Sequence, residues 1–330
     1  MRILITGGCG FIGHHLVEHF LKNTDWEIVI IDKLTYASAG FDRLRDINVF
    51  DSSRVKVFTY DFSHIVGEFI GREIGGLDYI LHLGAESSVD KSIENPFPFI
   101  KTNILGTARL LEFAKTQPNL KKFCYFSTDE VFGPAPEGVV YKEWDRYNST
   151  NPYSATKAGG EELCLAYANT YKLPVFITHT MNAFGERQHP EKFIPSTIRK
   201  CLAGDIIIIH SNPAKTQAGS RFYIHCRNIA SGVHFLLDRA EFREKYNIVG
   251  EKEVSNLELA QFIADILNKP LKYEMVDFHS SRPGHDLRYA LDGTKLKGMG
   301  WEIPKTFEES LKKTIKWYLD NPRWLKEVWE

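Results

Sequence analysis

Residues 2–13 read Arg-Ile-Leu-Ile-Thr-Gly-Gly-Cys-Gly-Phe-Ile-Gly. Arg2 to Thr6 is a short apolar run of strand type, and a helical pattern runs from Phe11 to Lys22. Between them Gly7, Gly10 and Gly13 stand at a GxxGxxG spacing. The first glycine allows a tight turn, and the second lets a diphosphate approach the backbone. The third lets helix and strand pack closely. Amides at the helix N-terminus then face the phosphates. Strand, glycine turn and helix in this order predict a dinucleotide site. The next strand, Glu27 to Ile31, ends at Asp32, 19 residues after Gly13. A carboxylate there can accept from both ribose hydroxyls and repels a 2′-phosphate, which selects NAD over NADP. Lys33, beside it, is a cation able to tolerate the extra phosphate.

Outward from this turn, Val55 to Tyr60, Tyr79 to Leu83, Phe123 to Ser127 and Val175 to His179 read as further strands. Long helices are predicted over Pro96 to Lys115 and Tyr153 to Tyr171. Strands alternating with helices imply parallel pairing with right-handed crossovers, hence a doubly wound parallel α/β sheet. From about Pro190 the pattern changes to short segments, Pro-Gly turns and two helical stretches, Asn256 to Asn268 and Phe307 to Asn321. The expected organisation is a cofactor domain over 1–189, joined by some later segments. Residues 190–330 would mainly form a smaller, partly interleaved α/β lobe for substrate. Ligands of such sheets bind beyond the carboxyl ends of the strands, so this lobe is expected to cover that edge.

Composition removes other classes. The 330 residues are 43% hydrophobic and 25% charged, an ordinary globular balance that excludes a disordered or fibrous chain. With 41 basic and 42 acidic residues there is no global attraction to nucleic acid or to an anionic membrane. The five cysteines are odd in number and form no CxxC pair, so neither a disulfide framework nor a metal site is expected, and a cytoplasmic location is. No apolar run approaches the ~18 residues that span a bilayer, and the N-terminus lacks the apolar region of a leader.

Tyr153 and Lys157 lie four apart on a predicted helix and share one face. An ammonium beside a phenol stabilises the phenolate, lowers its pKa and makes it a usable base. Ser127-Thr128 ends a strand before them. Ser/Thr, then Tyr and Lys, after a dinucleotide turn is the constellation of the short-chain dehydrogenase/reductase superfamily, which the chain resembles. That resemblance implies that Tyr153 removes a hydroxyl proton while hydride passes to NAD, and that Thr128 hydrogen-bonds the same hydroxyl. Asp129-Glu130 follows directly. Elimination of water needs two such groups. Once carbon 4 of a hexose is oxidised, the carbon-5 hydrogen is acidic. One carboxylate removes it while a carboxylic acid protonates the departing carbon-6 hydroxyl, provided their environments separate their pKa values.

Seven strings extend the likeness over nearly the whole chain. They are 31–37 (IDKLTYA), 83–87 (LGAES), Thr102-Asn103, 127–133 (STDEVFG), 153–157 (YSATK), 190–195 (PEKFIP) and 282–286 (RPGHD). In these strings the chain resembles the NAD-dependent nucleotide-sugar epimerases and dehydratases, and among them the dTDP-glucose 4,6-dehydratases. The resemblance implies a Rossmann domain with NAD regenerated at each turnover. It makes Tyr153 the base at carbon 4, Glu130 the base at carbon 5 and Asp129 the acid at carbon 6, with Thr128 and Lys157 completing the catalytic set. Hydride would return to carbon 6, giving a nucleotide-linked 4-keto-6-deoxy sugar. NAD contacts are implied for Gly7, Gly10, Phe11, Ile12, Gly13, Asp32, Lys33, Thr35, Asp61, Phe62, Leu83, Ala85, Thr102, Ser127, Tyr153 and Lys157. The nucleotide sugar would meet Ser87, Thr128, Asn182, Lys192, Phe193, Arg221, Asn256, Arg282 and His285. A homodimer is implied through the Tyr153 helix and the helix after Pro96.

The chain departs from the dTDP enzymes in places. Ser88 stands where they usually carry histidine, and Ala183 where they carry a second asparagine. Ile206 to Ile209 replace a Pro-x-Tyr stretch that packs against thymine. The base (dTDP, UDP, GDP or CDP) and the choice of hexose or amino sugar therefore stay open, as does 5,6-dehydration of a UDP-amino sugar. A 4-epimerase has no use for Asp129, and a UDP-glucuronate decarboxylase typically keeps a glutamate after a serine in place of the Asp-Glu pair. A non-catalytic NAD-binding regulator usually lacks the Tyr-Lys pair.

Overall fold

The computed structural model describes residues 1–278 and 287–326. Seven strands form its central sheet: β1 (Arg2–Thr6), β2 (Glu27–Asp32), β3 (Val55–Thr59), β4 (Tyr79–His82), β5 (Lys122–Thr128), β6 (Val175–Thr180) and β7 (Lys245–Ile248). Their order is β7-β6-β5-β4-β1-β2-β3. Every pairing is parallel, with Leu4 opposite Val29 on one side and Ile80 on the other. Helices cover both faces, which is why the inner strands are continuous apolar runs. The two-residue period sorts them. Ile3, Ile5, Ile28 and Ile30 enter one core with Leu16, Phe20, Val233 and Leu236; Leu4, Val29, Ile31 and Ile80 enter the other with Leu110, Leu111, Cys164 and Leu165.

The main helices are α1 (Phe11–Asn23), α2 (97–115), α3 (Pro152–Tyr171), α4 (Phe193–Ala203), α5 (Cys226–Arg239), α6 (Asn256–Leu267) and α7 (Phe307–Asp320). The predicted elements stand within a residue or two of these bounds, with three differences. Helix α2 is not regular, because Ile100–Gly106 widens to a π-helical turn around the candidate cofactor residue Thr102. Strand β7 is a seventh strand that the apolar pattern does not reveal. Its Lys245 and Asn247 are polar yet buried, paired with Glu161 and His179. Helices α4 and α5 are likewise additional to the sequence reading.

Beyond the sheet, α4, α6 and α7 share a separate core of Ile194, Ile198, Leu259, Ile263, Leu311 and Ile315. Small strand pairs surround it: Ala183–Phe184 with Ile224–His225, Ser220–Phe222 with Glu253–Ser255, and Ile207–Ser211 with Tyr273–Asp277. Strand β7 and α5 return from this later half of the chain to pack on the sheet. All five cysteines are buried and unpaired. Among the described residues no helix is long and apolar enough to cross a membrane.

Several histidines are locked inside. Burial above all holds His14, His15 and His82 well below their ordinary pKa, and lowers His19, which meets His234 at 3.0 Å, to about 4. An unfolded histidine takes a proton near pH ~6.5 that these folded ones refuse. Stability is thus complete above about pH 6.5 and is lost as pH falls towards about 4. Urea unfolding followed from about pH 7.5 to 5 should show a midpoint that drops below about pH 6.5; a flat midpoint would contradict the burial of these rings.

Candidate active site

The glycine turn is built as its spacing requires. Gly7 has φ +72°, a left-handed conformation open to glycine. A Cβ on Gly13 would stand 2.1 Å from the Gly7 carbonyl oxygen and 2.8 Å from the Gly8 Cα, so only glycine lets α1 start this close to β1. Gly10 precedes α1 and offers no side-chain cap, which leaves the first amides of the helix directed out of the turn. Asp32 sits at the end of β2. Its Oδ2 accepts from the Cys9 amide at 3.0 Å and its Oδ1 from the Leu34 amide at 2.8 Å. Burial raises its pKa, and those two amides oppose the rise. The residues thus fit a dinucleotide: uncapped helix amides, a cradle that a Cβ would fill, and a carboxylate at the end of the neighbouring strand. Lys33 is turned from Asp32 to Glu86 Oε1 (2.7 Å) and Thr102 Oγ1 (3.0 Å), so its charge is already matched by a carboxylate.

Other candidate cofactor residues gather on the same edge. The Phe62 ring is clamped between Gly84 and Gly106, where added Cβ atoms would meet it at 2.5 and 2.7 Å. Leu83 and Ala85 follow β4 directly. Asp61 accepts from the Ser63 amide at 2.9 Å, and the Thr35 carbonyl accepts from the Ser38 amide at 2.9 Å. Phe11 and Ile12 open α1. Ser127 differs from its neighbours: it is buried and its hydroxyl donates to Glu161 in the interior.

The carboxyl end of β5 meets the start of α3. Thr128 Oγ1 donates to Asp129 Oδ1 at 2.9 Å, accepts from the Glu130 amide at 3.3 Å and is hydrogen-bonded to the Tyr153 phenol. Tyr153 packs with Val89 and Phe99, and its amide donates to Ser92 Oγ at 3.1 Å. One turn on, Lys157 Nζ donates to the Phe126 carbonyl at 2.5 Å and lies 4.2 Å from the Tyr125 ring centre. Thr128, Asp129, Glu130 and Tyr153 therefore form one cluster, with Lys157 one turn further along α3. Sequence reasoning missed two of its members. Asn151 caps α3 through Oδ1, which accepts from the Ser154 amide at 2.9 Å, while its Nδ2 donates to Glu130 Oε2 at 3.3 Å. Asn103 reaches both Glu86 and Thr156 of α3. The Asn-Pro pair before Tyr153 is a readable helix start and was the available signal for Asn151.

Burial sets the electrostatics. Asp129 is raised to about 6 by desolvation, against the Thr128 hydrogen bond and the charge of Arg221, and its Oδ2 is buried with no hydrogen-bond partner among the described residues. Burial lowers Lys157 to about 8, opposed by Glu161. Burial and the charges of Glu130 and Asp129 push the Tyr153 phenol up, against the Thr128 hydroxyl, and the Lys157 ammonium donates to the Phe126 carbonyl.

On the facing lobe, the Arg221 guanidinium lies 4.7 Å from the Tyr289 ring centre and donates to the Ser220 and Leu287 carbonyls. Asn256 begins α6 and accepts from the Tyr223 hydroxyl at 2.7 Å. Lys192 precedes α4, is exposed and pairs with Glu191 at 3.2 Å, and Phe193 packs between two apolar clusters. Ser87 and Asn182 are exposed. Arg282 and His285 lie outside the described residues. Ser88 caps the helix Val89–Glu94, accepting from the Lys91 amide at 3.4 Å, which accounts for a small hydroxyl residue at that position.

A family model described as GDP-mannose 4,6 dehydratase matches residues 4–314. The chain belongs to this family. It is 37% identical to a dTDP-glucose 4,6-dehydratase of Salmonella typhimurium over 357 residues, covering 99% of this chain and 95% of that one. It is 36% identical over 337 residues to a trifunctional enzyme of Arabidopsis thaliana named for UDP-glucose 4,6-dehydratase, 3,5-epimerase and reductase activities. There the chain spans about half the relative's length, 48%, against 99% of its own. The crystal structure of a dTDP-glucose 4,6-dehydratase from Streptomyces venezuelae with NAD bound superposes with a TM-score of 0.89 at 33% identity, over 99% of both chains.

Asn151 gives a direct test of the local construction. Asn151→Ala removes the cap of α3 and should cost about 1 kcal/mol of stability, whereas Asn151→Ser keeps a capping oxygen and should cost only a few tenths, about 0.3 kcal/mol. Equal urea midpoints for the two variants would contradict the capping role.

Proposed function

We propose that this chain is an NAD-dependent nucleotide-sugar 4,6-dehydratase, a hydro-lyase that converts a nucleoside-diphosphate hexose into its 4-keto-6-deoxy derivative. One observation carries the reading. A buried carboxyl raised to about 6, Asp129, adjoins a second carboxylate, Glu130, within one hydrogen-bonded cluster with Thr128 and Tyr153. A 4-epimerase has no step for that pair. The named activities of the full-length bacterial relatives point the same way.

NAD, when bound, supplies the positively charged ring that accepts hydride from carbon 4 and returns it to carbon 6. The turn at Gly7, Gly10 and Gly13 holds its diphosphate, and Asp32 its ribose. Tyr153 takes the proton of the carbon-4 hydroxyl, which Thr128 orients, and Lys157 provides the nearby positive charge. Glu130, held by the Asn151 amide, then removes the carbon-5 proton. The electron pair forms the carbon 5–carbon 6 double bond, and the carbon-6 hydroxyl leaves as water with the proton of Asp129. Hydride at carbon 6 and a proton at carbon 5 complete the product. Arg221 and Lys192 are the cations for the substrate diphosphate, with Ser87, Asn182, Phe193 and Asn256 around it; Arg282 and His285, outside the described residues, are substrate residues by the family resemblance alone. Residues 1–189 would act as the cofactor domain and 190–330 mainly as the substrate lobe.

Two further parts belong to this proposal. Phe97, Ile100 and Leu105 are exposed along α2, which packs beside α3, and this apolar face suits a homodimer. Five unpaired cysteines suit a reducing, cytoplasmic compartment.

The test is mass spectrometry of the purified protein with dTDP-, UDP-, GDP- and CDP-glucose, GDP-mannose and UDP-N-acetylglucosamine. Loss of one water from a member of the panel is expected and names its base; isomerisation without mass loss would favour an epimerase. The variant Asp129→Asn with Glu130→Gln should still reduce bound NAD but eliminate water at least ~100-fold more slowly. In the unaltered chain, elimination should slow as pH rises above about 6, where Asp129 loses its proton. Unchanged elimination in the double variant would contradict the acid and base roles.

A further inference from the structure

Glu161 lies two helical turns beyond Tyr153 and one beyond Lys157 on α3. Its side chain is wholly buried, yet it stays ionised: burial would raise its pKa, but His179, Lys245 and Ser127 together lower it to about 2. Four separate segments converge on this carboxylate. The Ser127 hydroxyl of β5 donates to Oε1 and the Tyr147 hydroxyl to Oε2. His179 of β6 meets Oε2 through Nε2 at 3.2 Å, and Lys245 Nζ of β7 stands 3.3 Å from the same oxygen. The His179 ring is fixed from behind. Asn247 directs its Nδ2 to the carbonyls of Tyr141 and Asp292, so its Oδ1 faces His179 Nδ1 at 3.0 Å. Such a buried ion is costly unless every partner is retained, and retention makes it a rigid joint.

The joint sits where the proposed chemistry needs one. Ser127 is followed directly by Thr128, Asp129 and Glu130, and Lys157 is the nearest charged group on the same face of α3. Lys157 faces the Phe126 carbonyl, the Tyr125 ring, Cys164 and His82, none of which is an anion, and Glu161 supplies the opposing charge. We propose that Glu161 is the positioning residue of this centre: it pins the strand end bearing the acid pair against the helix bearing Tyr153, and it provides the counter-charge of Lys157. This rests on the reading of Tyr153 and Lys157 as the oxidation pair.

The experiment compares Glu161→Gln and Glu161→Asp in the full chain with bound NAD. It follows reduction of the bound nicotinamide in a single turnover of an accepted sugar nucleotide, from about pH 6 to 9.5. Without the carboxylate, Lys157 loses its proton at lower pH. The basic limb of the rate should therefore move acidward by about 1–3 pH units in Glu161→Gln, with KM within about twofold. Glu161→Asp keeps the charge, and its limb should stay within about 0.5 pH unit of the unaltered chain while the rate falls from lost positioning. An unmoved limb in Glu161→Gln, or equal losses at every pH in both variants, would overturn the proposal and leave Glu161 as packing. If Glu161→Gln fails to fold, Glu161→Asp decides alone: a limb that stays supports the proposal, and one that moves overturns it. Tyr153→Phe separates the two levels. Retained nicotinamide reduction in that variant would overturn the reading of the centre itself, whereas its loss together with an unmoved limb in Glu161→Gln defeats only the role of Glu161.

Discussion

The register of one parallel sheet governs where everything else can stand. Thr6 pairs with Ile31 and with His82, and His82 with Tyr125, so β1, β2, β4 and β5 discharge their loops over one edge. A buried polar chain locks that alignment. Thr6 Oγ1 meets His82 Nδ1 at 2.8 Å and accepts from the Gly84 amide at 3.0 Å, and His82 Nε2 meets Thr107 Oγ1 at 3.0 Å. Each member is a strong polar group in a dry place, so loss of one leaves the next unsatisfied. The glycine turn, Leu83 to Ala85 and the acid pair are the first residues beyond these strand ends, and Asp32 is the last residue of β2. Their proximity follows from the sheet and not from their spacing in sequence.

Chemistry then arises from unequal burial at that edge. Asp129 and Glu130 are neighbours in sequence with different partners. Asp129 has one oxygen with no hydrogen-bond partner among the described residues and is pushed towards its neutral form, while Glu130 receives an amide donor from Asn151. Two carboxyls so separated can act as acid and base on adjacent carbons. Tyr153 and Lys157 illustrate the complementary point. Their own surroundings oppose the charged forms of both, so the pair depends on charges brought to it, from Glu161 below and from the ligands above.

What could be read from residues alone divides along a physical line. Buried parallel strands carry apolar runs, so β1 to β6 were legible, and the glycine turn was legible because its backbone tolerates nothing else. Strand β7 was hidden by Lys245 and Asn247, whose burial makes sense only once Glu161 and His179 are in place. The residues of the candidate cluster were singled out by the family strings. Of their supports, Asn151 had a readable signal in its Asn-Pro helix start, whereas Asn103 and Glu161 had none, because a buried polar residue has no periodic signature and gains meaning from partners distant in sequence. Lys33 likewise gains its partner from the fold: its charge is matched by Glu86, some fifty residues on. The lobe built from the later half of the chain was least legible, since its short strands are set by packing around α4, α6 and α7.

In the proposed reaction Tyr153 and the Asp129-Glu130 pair act in turn on one sugar while hydride moves within it. The most direct measurement is turnover of an accepted nucleotide glucose carrying deuterium at carbon 4, in ordinary water, with the product read by NMR. Deuterium is expected in the carbon-6 methyl group of a 4-keto product. Deuterium retained at carbon 4, or lost to solvent, would contradict that reaction.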